Sequence, residues 1–174
     1  MKLSLKKYAM LLTLAMLFLA PGLGALYCYQ HPGILSAVKT NQGALLSPPV
    51  RVSQLQQINK WRLVLWSPHA CDETCMRQLD QLARTRLALG RRLYEVDLWL
   101  LQPSSVQEPS SVLKTWLSAN DVHMDTIVST QMSSLPKTSQ YYIMDPENYL
   151  ILAYAMHTKP HAIYHDMKQL LSRS

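Results

Sequence analysis

The chain has 174 residues, 48% of them apolar, and a formal charge of +6. That length suggests one domain of ordinary size plus an appendage. The positive charge is spread along the chain without aromatic interleaving, which argues against a nucleic-acid surface. No carboxylate pair, Ser-His-Asp set or phosphate-cradling glycine loop supports a hydrolase or nucleotide-binding function.

The first thirty residues differ in kind from the rest. Lys2, Lys6 and Lys7 precede an uncharged run from Tyr8 to Tyr29, about the 20 residues that a helix needs to span a bilayer. Tyr27 and Tyr29 stand where an aromatic belt would lie. The leading lysines predict a cytoplasmic N-terminus, with everything after about residue 30 on the outer side. A cleaved signal peptide is the competing reading, with Gly22-Leu-Gly-Ala25 as a small-residue site. The apolar run continues past that point and favours a retained anchor over residues 1–29. Tyr27 before Cys28 does not suit lipoprotein cleavage, and Cys28 reads as a residue of the membrane edge.

Residues 30–50 read as a linker, punctuated by Pro32-Gly33, Asn41-Gln-Gly43 and Ser47-Pro-Pro49. Leu45, Leu46, Val50 and Val52 could nevertheless cover a sheet edge as a short strand. A folded domain is expected over 51–174. Its first firm strand is Arg62-Leu-Val-Leu-Trp66. Behind it Met76, Leu79, Leu82, Ala83 and Leu87 recur at helical spacing, which predicts a helix over 72–89 ended by Gly90. Arg77, Arg84 and Arg86 are expected on its solvated face.

Cys71 and Cys75 sit where this strand hands over to this helix. Unpaired N–H groups and the macrodipole at a helix N-terminus favour thiolate, whereas Asp72 and Glu73 oppose it. Cysteines four apart share a helical face, close enough to hold a soft metal together or to be oxidised together. Cys71 is expected to be the more exposed and reactive thiol, and Cys75 the resolving one. An extracytoplasmic compartment permits a disulfide between them.

Leu93–Leu101 reads as a second strand, completing a right-handed βαβ unit. A loop over 102–110 leads to an amphipathic helix over 111–118, with Val112, Leu113, Trp116 and Leu117 on its buried side. Thr126-Ile-Val128 is a brief apolar patch. Tyr141–Met144 and Tyr149–Tyr154 form an antiparallel hairpin across the turn Asp145-Pro-Glu-Asn148. Lys159-Pro160 opens a last helix bearing Ile163, Met167, Leu170 and Leu171 on one face. The order βαβ, α, ββα is that of a thioredoxin-like α/β fold, a central mixed sheet flanked by helices. Its reactive thiols lie after the first strand, where Cys71 and Cys75 stand.

With these residues in place, the chain resembles the SCO/SenC group of cytochrome oxidase assembly proteins over residues 43–172. The resemblance rests on Leu63-Val-Leu-Trp66, Cys71-x-x-x-Cys75, Leu79 and Tyr142-Ile-Met-Asp-Pro146. A divergent bacterial inner-membrane branch is similar in Ala70-Cys71…Cys75 and in Arg84-x-x-Leu87-x-x-Gly90. The resemblance implies an inner-membrane anchor, a periplasmic domain and copper handling through Cys71 and Cys75. It also implies a cytochrome oxidase subunit or another copper-handling protein as partner. The chain departs from that pattern in three places. Asp72 and Met76 stand where the group carries prolines, and Lys137 stands where it carries its copper-ligating histidine. A protonated Lys137 has no lone pair to offer a metal. Pro136 stands near the position of a cis-proline that faces the thiols in thioredoxin-like folds.

Histidines could supply a replacement ligand: His69 beside the cysteines, or His161 and His165 four apart on the last helix. His123-Met124 and Met156-His157 are also copper-compatible pairs. Three functions follow: an oxidase assembly factor that handles copper, a thiol–disulfide oxidoreductase, and a membrane-tethered interaction domain with vestigial thiols.

Overall fold

A computed structural model describes residues 2–31, 41–106, 108–128 and 135–173. It divides into two units, Met1–Thr40 and Asn41–Ser174. The first contains helix α1 (Lys2–Gln30), whose apolar part, Tyr8–Gln30, is long and apolar enough to cross a membrane. The Thr13 hydroxyl donates to the Ala9 carbonyl at 2.7 Å, so this polar group is satisfied within the helix. Residues 32–40 of the expected linker lie outside the described residues.

The second unit holds one six-stranded sheet in the order β1-β6-β5-β2-β3-β4. Its strands are β1 (Ala44–Arg51), β2 (Trp61–Trp66), β3 (Val96–Pro103), β4 (Val122–Ile127), β5 (Gln140–Met144) and β6 (Tyr149–Ala155). β2, β3 and β4 are parallel, and β5, β6 and β1 add antiparallel neighbours. Helix α2 (Glu73–Ala88) links β2 to β3, α3 (Ser111–Ala119) links β3 to β4, and α4 (Pro160–Leu171) follows β6. Two crossovers of one hand, stepping in one direction across the sheet, leave their helices on one face. Leu63, Leu65, Leu98 and Leu100 meet Leu79, Leu113, Ile163 and Met167 there. The other face carries Val64, Trp66, Trp99, Leu101 and Tyr142, and is covered by Val52, Leu55 and Ile58. The fold is the thioredoxin-like mixed sheet with helices.

The structure sharpens some sequence expectations and corrects others. The short edge strand read at Leu45, Leu46 and Val50, inside the stretch expected as a linker over 30–50, is β1, whose Ala44 and Leu45 pair with Ala153 and Leu152 of β6. Its entry is fixed by Asp166, a buried carboxylate of α4. It accepts the backbone N–H groups of Gln42 and Gly43 at 2.7 and 2.8 Å and the Tyr154 hydroxyl at 2.8 Å. Gly43 is required for close approach, since a Cβ there would come within 2.5 Å of the Tyr154 ring. Burial, and then Asp166, push the Tyr154 phenol far above its ordinary pKa.

β3 begins at Val96, not Leu93, because Gly90–Glu95 forms a 3₁₀ turn braced by an Arg92–Glu95 ion pair at 2.8 Å. β4 was read only as an apolar patch, because its central residues His123, Met124, Asp125 and Thr126 are not buried. On α2 the buried stripe runs through Cys75, Leu79, Leu82, Ala83 and Arg86, so Leu87 is 65% exposed. Arg86 is not on the solvated face: its Nε donates to Val96 O at 2.6 Å and Nη2 to Asp121 Oδ2 at 2.9 Å. Its aliphatic stem covers the apolar stripe, while its head ties the helix end to β3 and the start of β4. Val112 of α3 likewise points outward, leaving Leu113 and Leu117 as that helix's buried anchors.

Candidate functional site

Parallel strands β2 and β3 end side by side, and each end carries a buried polar residue followed by proline: Ser67-Pro68 and Gln102-Pro103. The Ser67 N–H donates to Leu101 O at 3.0 Å. The Ser67 hydroxyl and the Gln102 amide then both donate to the His69 carbonyl, at 2.9 and 2.7 Å. These two donors hold the turn that delivers Cys71 to the head of α2. Neither was recognised from sequence; the repeated polar-Pro ending of two adjacent strands was the available signal. The Trp66 indole N–H donates to Pro136 O at 2.9 Å and pins the loop before β5 to the same end of the sheet.

Helix α2 begins with Asp72 as its N-cap, its carboxylate accepting the Cys75 N–H at 2.8 Å. Satisfying an otherwise orphaned N–H in this way stabilises a helix start by about 1 kcal/mol. Cys71 stands one residue before the cap, outside the regular helix, so its backbone can bring its sulfur over the first turn. Cys71 and Cys75 are joined in a disulfide with their Cα atoms 5.1 Å apart, within the ordinary range for such bonds. Cys75 is buried in the helix-side core, whereas Cys71 is only partly buried against it. The pair therefore presents one partly exposed cysteine backed by one buried cysteine.

The other singled-out residues divide by position. The His69 side chain is exposed, and it is its carbonyl that the turn uses. Lys137 is exposed and precedes β5, whose first residue Gln140 pairs with Trp66. Lys137 thus lies at the cysteine end of the sheet. Met156-His157 follows Ala155, the partner of Gln140, and so lies at that end too. There Met156 is tucked against the helix-side core and His157 is exposed. His123 is elsewhere, in β4, with its ring 5.0 Å from that of Trp99 on the opposite face from the helices. His161 and His165 are exposed on α4, and His165 Nδ1 lies 3.2 Å from Asp166 Oδ1. The described cis peptide is Ser47–Pro48 in β1, and Pro136 is not in such a bond. Burial pushes the Tyr141 and Tyr142 phenols up to about 12, so neither offers the thiols a base at neutral pH.

Copper would need more than this pair supplies. The two sulfurs are bonded to each other, and among the described residues no three or more His, Cys, Asp or Glu side chains converge. Two thiolates with no third donor make an open, incomplete site for a soft cation. The described residues do not form a closed copper centre. They do form a dithiol–disulfide couple at the head of a helix.

Comparison with known proteins agrees with this geometry. The family described as "Transmembrane-like, thioredoxin-like, C-terminal domain" matches residues 61–174. Among solved structures, copper-bound ScoI of Arabidopsis thaliana is similar with a TM-score of 0.50 and 11% identity, covering 68% of this chain and 88% of that one. Copper-bound yeast Sco1 is similar with a TM-score of 0.50 and 15% identity, covering 68% and 82%. A second yeast Sco1 structure gives 0.50 and 17%, covering 68% and 83%. At these identities the likeness is one of fold. No match is found among curated proteins.

Proposed function

The chain belongs to the transmembrane-like, thioredoxin-like C-terminal domain family, and from that premise we propose that it is a membrane-tethered, SCO-like thiol–disulfide exchange factor. The observation that carries this reading is the Cys71–Cys75 disulfide itself, with Cys71 accessible and Cys75 covered. In the reducing direction, the Cys71 thiolate attacks a client disulfide and releases one client thiolate. The Cys75 thiolate then attacks the Cys71 sulfur, closing the intramolecular bond and releasing the second client thiol. The client gains two electrons and two protons, and the state left behind is the disulfide described here. A dithiol donor must reopen it for the next cycle.

Cytochrome oxidase assembly is the process that best suits a SCO-like fold on a membrane anchor. Copper enters as the client's cargo: freed client thiols are soft donors, and the exchange factor prepares them. The test is a trap. Cys75→Ser removes the resolving thiol and is expected to accumulate a client joined to Cys71, while Cys71→Ser accumulates none. If the two variants trap equally, or neither traps anything, the assigned roles are wrong.

Tethering and sidedness belong to the same reading. With α1 spanning the membrane and Lys2, Lys6 and Lys7 inside, the domain faces the periplasm. A C-terminal alkaline phosphatase fusion is expected to be active, because that enzyme needs an oxidising compartment to form its disulfides. A fusion active only with a cytoplasmic reporter contradicts the orientation.

A further inference from the structure

The residues between the two sulfurs are not inert spacers. Asp72 stands next to Cys71, and its carboxylate holds the Cys75 N–H at 2.8 Å as the cap of α2. At an uncapped helix start, the free N–H groups and the positive end of the dipole would welcome a sulfur anion when the disulfide opens. Here that N–H is already taken, and by the carboxylate of the residue that follows Cys71. Glu73, at the first helical position, is also acidic; both carboxylates are exposed, and Asp72 is the one held at the Cys75 N–H. Cations on the same helix offer little compensation: Arg77 is a turn further on and donates to Thr74 at 3.1 Å, and Arg84 is paired with Asp80 at 2.8 Å.

We infer that Asp72 is a positioning residue that biases the Cys71–Cys75 couple toward the disulfide, making the dithiol form a stronger reductant than an uncharged cap would. This rests on the exchange reading above and deepens it, because it says in which direction the site is poised. The balance is simple. Reduction breaks the Cys71–Cys75 bond with two electrons from a dithiol or two monothiols, whose sulfurs join in a disulfide; two protons are taken up where both cysteines end as thiols, and one where a thiolate is left at the helix head. Any negative charge on that sulfur is opposed by the Asp72 carboxylate, so the reduced side of the equilibrium is raised. The disulfide carries no such charge and is unaffected.

The experiment equilibrates the full chain, in detergent and in a Cys28→Ser background, with glutathione buffers of stepped ratio at pH 7. The dithiol fraction is read by alkylation. Asp72→Asn keeps a good cap and removes the charge; Asp72→Ala removes both; Glu73→Gln removes a neighbouring charge without touching the cap. Asp72→Asn is expected to shift the equilibrium constant toward the dithiol by about three- to tenfold, with the melting temperature unchanged. Glu73→Gln should shift it less. Asp72→Ala should lower the melting temperature as well. An Asp72→Asn equilibrium within about twofold of the parent's overturns the inference, and a shift seen only in Asp72→Ala means that capping alone matters. If the parent disulfide never equilibrates with glutathione, the exchange reading falls and this inference falls with it.

Discussion

Arg62→Ala is expected to lower the unfolding free energy by about 3–5 kcal/mol, from unsatisfied buried acceptors and the void left behind, the largest single-residue effect away from the cysteines. Arg62 lies in central strand β2 and is fully buried. Its Nη1 donates to Asn148 Oδ1 and, at 3.4 Å, to Met144 Sδ; its Nη2 donates to Gln56 O at 2.7 Å. The guanidinium sits over the Trp99 ring at 5.2 Å. Burial pulls its pKa below the ordinary guanidinium value, while Asp97 and Asp145 push it back up, and the charge remains. One side chain thus joins the central strand, the β5–β6 turn and the segment over 52–58 that covers the face without helices. Asn148 completes the join by donating to Leu55 O at 2.7 Å.

Truncation would leave Asn148 Oδ1 and the Gln56 carbonyl without their donor and a large void under the covering segment. Arg62→Met, which fills much of the void without donating, is expected to cost roughly half as much. The limit on both is set by the Arg62 and Trp99 side-chain N–H groups that are already buried without a partner among the described residues, Arg62 Nε and Trp99 Nε1. Denaturant titration of the full chain in micelles, followed by tryptophan fluorescence, measures the cost. A loss under about 1 kcal/mol for Arg62→Ala would mean that Val52, Leu55 and the Asn148 hydrogen bonds hold the covering segment without Arg62.

Arg62 also marks where sequence reasoning stops. Arg62-Leu-Val-Leu-Trp66 was legible as a strand from its length and composition, but nothing local says that an arginine inside it is buried. Its partners Gln56 and Asn148 are brought to it only by the fold. α2 was legible because its apolar spacing and Gly90, with φ of 62°, agree; that Asp72 caps it is seen only in the structure. The β5–β6 hairpin was legible because Asp145 shapes its own turn, accepting the Glu147 and Tyr149 N–H groups at 2.9 and 2.8 Å. β4 and β1 were faint for a shared reason. Edge strands bury few residues, so their patterns are diluted by polar ones such as His123 and Asp125 and by the prolines 48 and 49.

At the site, the cysteines and their strand-to-helix setting were readable from sequence, since one short segment contains all of it. The supports were not. Gln102 and the Trp66 N–H act through β2–β3 adjacency and through the loop at Pro136, contacts that span 33 and 70 residues of chain, and the Ser67 hydroxyl joins Gln102 at the His69 carbonyl. Arg86 was misread for a similar reason: its partners, Val96 and Asp121, belong to strands that only the crossovers bring beside the helix end.

Lys137→His is expected to tighten Cu(I) binding by the reduced chain by at least about tenfold, or 1.4 kcal/mol. As it stands, the reduced pair offers two sulfurs, and the exposed ammonium of Lys137 at the same end of the sheet offers a charge of the wrong sign. Imidazole at that position replaces a cation with a neutral donor suited to copper. The Trp66–Pro136 hydrogen bond holds the preceding residue in place, so the new side chain projects from an anchored loop. Competition titration against a Cu(I) chelator, on fully reduced protein, compares the parent, Lys137→His and the double Cys71→Ser, Cys75→Ser variant. The double variant should lose binding in either background, because both sulfurs are needed whatever the third donor is. A parent that already binds as tightly as Lys137→His would show that the dithiol recruits a donor of its own, with Met156 and His157 at the same end of the sheet as the first residues to replace. Weak binding by the parent with a clear gain in Lys137→His would instead mark the lysine as the feature that keeps this dithiol for electrons and leaves the metal to its client.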